Sequence, residues 1–361
     1  LSRSPYQKLE RRAFWRFGVE ARGAIAEAGM FRPSFAIGPD TRVATAGSCF
    51  AQHVGRALRA AGVEVIDSEP APAFVSDRVA RDHGYRLFSA RHGNIYTAAH
   101  LAQLAREAWK GFRPAEPVWT LGERFVDSQR PSVEPAGLAS AEEVALHRAR
   151  HLAQLRAAWG AADVFVFTFG LTEAFCHRDS GTVFPMAPGV IGGSYDPAVH
   201  GFVNFTVAET VAAFRAFMAL ARAANPAMRF LITVSPVPLA ATASGDHVEV
   251  ATVRSKSILR AACDEILRAE EGVDYFPSYE IITSPSSGGR FFAPNLRDVT
   301  EEGVATVMAT LRASYGLGGQ GVEASGAEER QVPGAGGADA AAEDLRCEEV
   351  LLGRFAGTAT A

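Results

Sequence analysis

The amino-acid sequence predicts an α/β fold of three layers: a mostly parallel sheet with helices on both faces. Two observations carry this reading. The runs "ADVFVFTFG" (162–170) and "RFLITVSPVP" (229–238) are continuously apolar, the mark of parallel strands buried on both faces. Around them lie stretches of helical periodicity, so that strand and helix alternate along the chain. With 361 residues, 48% of them hydrophobic and 21% charged, the chain can bury a sizeable core.

In order, residues 1–40 form an N-terminal segment rich in aromatic and basic residues, expected to pack on the domain that follows. "TRVATAGS" (41–48) reads as a buried strand ending in a turn, Phe50 to Ala61 as an amphipathic helix, and "VEVIDSEP" (63–70) as a second short strand. Residues 70–97 read as irregular, and a helix follows over about 98–110. Prolines and the run "VWTLGERFVDSQRPSV" make 111–139 a loop or a small antiparallel insertion. A long helix over about 140–159 precedes the strand at 162–170. Residues 176–205, rich in Gly and Pro, read as a long loop. A helix at about 206–224, the strand at 229–238 and a helix at 248–270 come next. "VDYFPSYEII" (273–282) is strand-like, and 299–315 is a helix with Thr300 as N-cap. The domain proper is therefore expected at 41–315. Residues 316–361 are Gly/Ala-rich and too poor in apolar side chains to order themselves. They are expected to form a low-complexity disordered tail, with "DLRCEEVLLGRF" (344–355) as one short docking helix or a frayed end.

A formal net charge of −4 points to neither nucleic acid nor an anionic membrane as partner. No apolar stretch approaches the roughly 20 residues of a membrane span, and the N-terminus lacks the apolar core of a signal peptide. A cytoplasmic protein is expected. The four cysteines, Cys49, Cys176, Cys263 and Cys347, form no C-x-x-C pair, which argues against a disulfide framework or structural zinc. No His/Asp/Glu set has ligand spacing, so no metal is expected. Without a P-loop, or a G-x-G-x-x-G opening a helix, no nucleotide cofactor is expected either.

In an open parallel sheet, ligands bind beyond the carboxyl ends of the strands. Three segments place polar residues there: Gly47-Ser48-Cys49, Gly170-Leu171-Thr172-Glu173 and Ser235-Pro236-Val237. A glycine turn carrying Ser48 and Cys49 into a helix suits a nucleophile, because the helix start offers N–H groups to an oxyanion.

"AGSCFA" (46–51) matches the motif that names the GSCFA family, which is related to the SGNH/GDSL hydrolases. "GNIYTA" (93–98), "TFGLTEAF" (168–175), "ITVSPV" (232–237), "RSKSILR" (254–260) and "YFPSYEII" (275–282) resemble that family in the same order. The resemblance spans about residues 5–315 and implies an SGNH-type α/β/α fold with Ser48 as a nucleophile acting on esters. Cys49 would turn inward as packing. The N–H groups of Ser48 and Gly93, with Thr172 in the place of the family's asparagine, would hold the oxyanion. Asn94 and Gly170 stand beside these positions, and Glu173 would orient its neighbours or hold a turn.

One segment departs from the pattern. Where relatives carry D-x-x-H, "FFAPNLRDVTEEG" puts Asn295 in the Asp place and Asp298 in the His place. A serine needs a base within hydrogen-bond reach. His247 in the loop after the third strand end is the first candidate, with Asp298 to orient it, and His92 is the second. Arg254 and Lys256, just beyond His247, either offer charge for an anionic group or simply cap the fold.

The resemblance thus implies a serine-dependent acyl esterase or O-acyltransferase working on a carbohydrate or similar hydroxyl-bearing substrate, with relatives placed in polysaccharide biosynthesis. No resident cofactor is expected. An acyl donor such as acyl-CoA enters only for a transferase. Two alternatives stay open: a scaffold that binds a glycan or acyl ligand without turning it over, and a thioester-handling enzyme with Cys49 as nucleophile.

Overall fold

A computed structural model of the protein describes residues 4–20, 29–317 and 348–358. The chain opens with short 3-10 turns and enters its sheet at β1 (Arg42–Gly47), followed by α1 (Ala51–Ala60) and β2 (Glu64–Val65). A short α2 (Asp77–Asp82) interrupts the segment expected to be irregular, before α3 (Ala98–Lys110). The hairpin β3 (Val118–Leu121) and β4 (Arg124–Asp127) is the small antiparallel insertion. Next come α4 (Ala141–Ala161), β5 (Val164–Phe169), β6 (Glu173–His177), β7 (Val183–Phe184) and β8 (His200–Asn204). The chain continues through α5 (Val207–Ala224), β9 (Arg229–Val234), α6 (Val248–Ala269), β10 (Val273–Tyr275), α7 (Ser278–Thr283) and α8 (Glu301–Ser314).

The main sheet has the order β10-β9-β5-β1-β2, and every neighbouring pair is parallel. The first strand in the chain thus lies between the second and the third, the doubly wound pattern whose switch point falls between β1 and β5. Side chains divide by the period-two rule of a strand. Phe165, Phe167 and Phe169 of β5 join the cluster under α3, α4, α5 and α6, around Trp159 and Phe214. Val164 and Val166 face the other way, toward α1 and α8, where Phe31, Phe35 and Ile37 of the N-terminal segment are also buried. Phe31 packs edge-on against Phe276 and Tyr315, and the Ser34 N–H donates to Asp274 at 2.7 Å. The fold is therefore α/β with a layer of helices on each face of a parallel sheet.

Two stretches differ from the expectation. The supposed loop at 176–205 contains a three-stranded antiparallel sheet in the order β7-β6-β8, pairing Phe175 with Phe202 and Glu173 with Asn204. Its strands are short and half-buried, so they lack the apolar run that marks β5, and the Gly and Pro between them dominate the reading. In "VDYFPSYEII" only Val273–Tyr275 is strand. After Pro277 the chain turns into α7, whose Ile281 and Ile282 pack beneath the sheet.

Of the low-complexity tail, residues 318–347 and 359–361 lie outside the described residues. Glu348–Thr358 forms a 3-10 helical segment. Glu348 and Glu349, at its start, are buried against the main domain.

Candidate active site

The three strand ends singled out in the sequence meet at the switch point. Ser48 and Cys49 beyond β1, Gly170 and Leu171 beyond β5, and Ser235 beyond β9 line one narrow cavity of about 10 Å³, scarcely room for one water molecule. Gly47 makes the turn possible. It sits at φ +138°, and a β-carbon there would stand 2.5 Å from the carbonyl oxygen of Thr168. Only glycine satisfies both constraints. Gly170 presses on the opposite side, where a β-carbon would come 3.0 Å from Cβ of Ser48 and 3.0 Å from the Tyr96 ring.

The Ser48 side chain is buried, and its Oγ has no hydrogen-bond partner among the described residues. The Ser48 N–H is committed to the Thr168 carbonyl at 3.1 Å, which extends the β1–β5 ladder and takes this group away from an oxyanion. The N–H groups that open α1 are likewise engaged, Ala51 with the Ser48 carbonyl at 2.9 Å, Gln52 with that of Cys49 at 3.1 Å and His53 with that of Phe50 at 3.2 Å.

Lys256 of α6, which the sequence offered only as charge for an anionic group or as a cap of the fold, comes to the cavity itself. It is 2% exposed, lines the Ser48 cavity, and its Nζ donates to the Gly170 carbonyl at 2.6 Å. Glu349 lines the same cavity and receives Nη2 of Arg297 at 3.2 Å. Burial pushes the Glu349 carboxyl up, against the pull of Arg297 and Lys256. Its neighbour Glu348 accepts from the Tyr96 hydroxyl at 2.7 Å, from the Ser132 hydroxyl at 2.6 Å and from the Asn94 amide.

The other predicted positions take varied places. Asn94 also accepts from Gln52 at 3.3 Å. Gly93 sits at φ +72° with its missing side chain facing Ser132, Val133 and Arg130. Thr172 donates its hydroxyl to Asn204 at 2.7 Å, and its N–H to the Ser255 hydroxyl at 3.0 Å. Glu173 accepts from the Thr242 hydroxyl at 2.7 Å and lines a second, larger cavity. That cavity, about 220 Å³, adjoins the first through Tyr96, Leu171, Leu239 and Glu349, and its walls are largely apolar.

His247 is exposed and serves as the N-cap of α6, its Nδ1 accepting from the Glu249 N–H at 3.3 Å. His92 is buried in the core against Phe88, with Nδ1 bonded to the Gly93 carbonyl at 2.7 Å, and burial drops its pKa to about 4. Neither histidine lines the Ser48 cavity. Asn295 and Asp298 bond to each other at 2.7 Å in a tight turn, and Asn295 Oδ1 caps the N–H groups of Arg297 and Asp298. From this turn, where relatives would carry their acid and base, the residue that reaches the cavity's edge is Arg297, through Glu349.

A doubly wound parallel sheet with a buried serine at its switch point defines the class of architecture. The chain belongs to the GSCFA family, whose model matches residues 42–311, well over half its length. No curated protein matches it. Among solved structures it is similar to an acetyl xylan esterase (Est2A) from the rumen bacterium Butyrivibrio proteoclasticus, at 14% identity and a TM-score of 0.29. The match covers 77% of this chain and 64% of that one, so the chain spans less than two thirds of the esterase's length. Among the described residues, no helix is long and apolar enough to cross a membrane, and no group of His, Cys, Asp and Glu could hold a metal ion.

Proposed function

We propose that the protein is a serine-dependent acyl esterase or O-acyltransferase acting on a carbohydrate or similar hydroxyl-bearing substrate through an acyl-enzyme. The observation that carries this reading is the unpartnered, buried hydroxyl of Ser48 at the sheet's switch point, in one cavity with the amine of Lys256. Membership of the GSCFA family supports the placement of the nucleophile.

The geometry favours Lys256 over His247 as the group that takes the serine proton, since a general base must come within reach of the hydroxyl it serves. Ser48 Oγ attacks the ester carbonyl while its proton passes to the Lys256 amine, the base of this reading. The oxyanion develops near the start of α1, where the positive end of the helix dipole favours it. Collapse breaks the ester C–O bond, and the departing alcohol takes the proton back from Lys256. Water, or a second hydroxyl in a transferase, then attacks the acyl-Ser48, and the same groups act in reverse. The adjoining cavity, with Phe175 and Phe202 in its wall, suits the face of a sugar ring or an apolar acyl chain.

A second reading keeps the cavity and drops the chemistry. No histidine lines the Ser48 cavity among the described residues, which favours a scaffold that binds a glycan or acyl ligand without turning it over. Hydrolysis of p-nitrophenyl acetate by wild type, Ser48→Ala and Lys256→Ala separates the two. The enzyme reading requires turnover that Ser48→Ala abolishes and Lys256→Ala lowers by about 10²-fold or more. Wild-type turnover equal to that of Ser48→Ala contradicts it.

A further inference from the structure

We infer that a subsite for an organic carboxylate, built from Asn94, Tyr96 and Ser132, adjoins the Ser48 cavity at Tyr96, and that the chain's own segment Glu348–Thr358 fills it as a removable occupant. The inference rests on the geometry of the cavity and holds whatever chemistry Ser48 performs.

The donors are unusual in kind and placement. An amide, a phenol and an aliphatic hydroxyl converge on the single carboxylate of Glu348, at 2.7 Å from Tyr96 and 2.6 Å from Ser132. Asn94 and Tyr96 are both 4% exposed, so the donors are largely withdrawn from water and would be costly to leave without an acceptor. They belong to two stretches of the main domain, "GNIY" and the loop after β4, while the acceptor comes from more than 200 residues further along the chain. All three are neutral donors, so the charge they receive must be brought by the ligand.

Glu349 extends the contact. It meets Arg297 on one side and shares the wall of the Ser48 cavity with Lys256 on the other. Leu352, one helical turn on, enters the larger cavity beside Met186 and Leu171. The segment thus occupies the carboxylate subsite, the cationic edge and the apolar chamber together, while Leu351 and Phe355 on its outer side remain exposed. Residues 318–347, which join it to the domain in sequence, are Gly/Ala-rich. A substrate or product bearing a carboxylate would compete for the same donors.

Cys49 provides a readout independent of catalysis. It is 3% exposed and lines the cavity that Glu349 closes, whereas Cys263 is fully buried in the core under α6. The experiment measures N-ethylmaleimide labelling at each cysteine by peptide mass mapping, in the full-length chain and in its Glu348→Ala/Glu349→Ala variant. Loss of charge-assisted hydrogen bonds should raise the Cys49 rate by at least about tenfold while Cys263 stays unlabelled. The isosteric Glu348→Gln, which preserves packing, should raise it less, and Leu352→Asp should raise it through the apolar chamber. Propionate, which copies the end of a glutamate side chain, should slow Cys49 labelling again in the double variant, and propionamide should not. Equal Cys49 rates in wild type and all three variants would overturn the occupant. Faster labelling that propionate leaves unchanged would overturn the carboxylate subsite.

Discussion

Gly170 stands so close to Ser48 that a β-carbon on the glycine would come 3.0 Å from the β-carbon of the serine. The same residue offers its carbonyl to Lys256 at 2.6 Å and its N–H to the Tyr96 carbonyl at 2.9 Å. One residue without a side chain therefore sets the distance between the nucleophile, the amine and the aromatic wall.

Replacing it tests that arrangement. Gly170→Ala must push back Ser48 or the Tyr96 backbone, and overpacking of this kind costs about 1–3 kcal/mol. The expected result is a lower urea midpoint, with kcat/KM toward p-nitrophenyl acetate reduced by at least about tenfold, as misplacement of a reacting group by even an ångström is costly. An unchanged kcat/KM would separate Gly170 from the site.

Lys256 and His247 lie nine residues apart on α6 and its cap, yet only Lys256 lines the Ser48 cavity. Lys256→Ala is expected to lower kcat about 10²-fold or more, the usual contribution of a general base, and Lys256→Arg should not restore it, because a guanidinium does not give up its proton. His247→Ala should leave activity within about twofold and cost only the α6 cap, about 0.5–2 kcal/mol. The reverse order of effects, read from the same p-nitrophenyl acetate assay, would return the base to His247.

The hairpin β3–β4 is held to the helical layer by a buried ion cluster. Arg148 of α4 reaches Glu107 of α3 at 2.7 Å and Asp127 of β4 at 3.5 Å, and Asp127 also meets Arg130 at 2.8 Å. Removing the arginine leaves two buried carboxylates short of a partner. Arg148→Ala is expected to destabilise the fold by about 3–5 kcal/mol in urea unfolding, and Glu107→Gln by less, because a neutral amide can still bond. Equal, small losses would mean that water reaches the cluster.

Acid should unfold the protein early. Burial lowers His92 to about 4, His100 to about 3 and His151 to about 3, the last while it bonds to the Glu69 carboxylate at 2.7 Å. All three folded values lie below the ordinary histidine value, so the unfolded chain binds protons first as pH falls. Stability from these groups is complete above about pH 6.5. It should decline by about 1.4 kcal/mol per pH unit for each histidine until the pH passes the folded values. Glu69, held at about 2 in part by His151, adds a further loss once the pH drops below its ordinary value. Urea midpoints at pH 7 and pH 5 check this. A midpoint unchanged at pH 5 would mean that these imidazoles reach solvent.

Much of the scaffold was legible because burial on both faces of a parallel sheet leaves a run such as "VFVFTF" in the sequence. Ser48, Gly170 and Ser235 could be placed together for the same reason, since each directly follows such a strand. Lys256 was not legible as a cavity residue. It lies within a long helix rich in charged positions, and periodicity does not say that one lysine turns inward along Gly170. His247 looked like a base because its loop follows a strand end, yet the helix start claims its ring as a cap. Glu348 and Glu349 were hidden by composition. They follow a Gly/Ala-rich stretch that carries no apolar pattern, and the donors that hold Glu348 lie more than 200 residues away. The β6–β8 sheet was missed because its stability lies in cross-strand pairs such as Phe175 with Phe202, which no local pattern reveals.

The most direct measurement is intact-mass and peptide mapping of the protein after treatment with a serine-directed fluorophosphonate, for wild type, Ser48→Ala and the Glu348→Ala/Glu349→Ala variant. A single adduct on Ser48, absent from Ser48→Ala and formed faster in the double variant, is the predicted result. An adduct on Cys49, or none in wild type and double variant alike, would contradict Ser48 as the nucleophile.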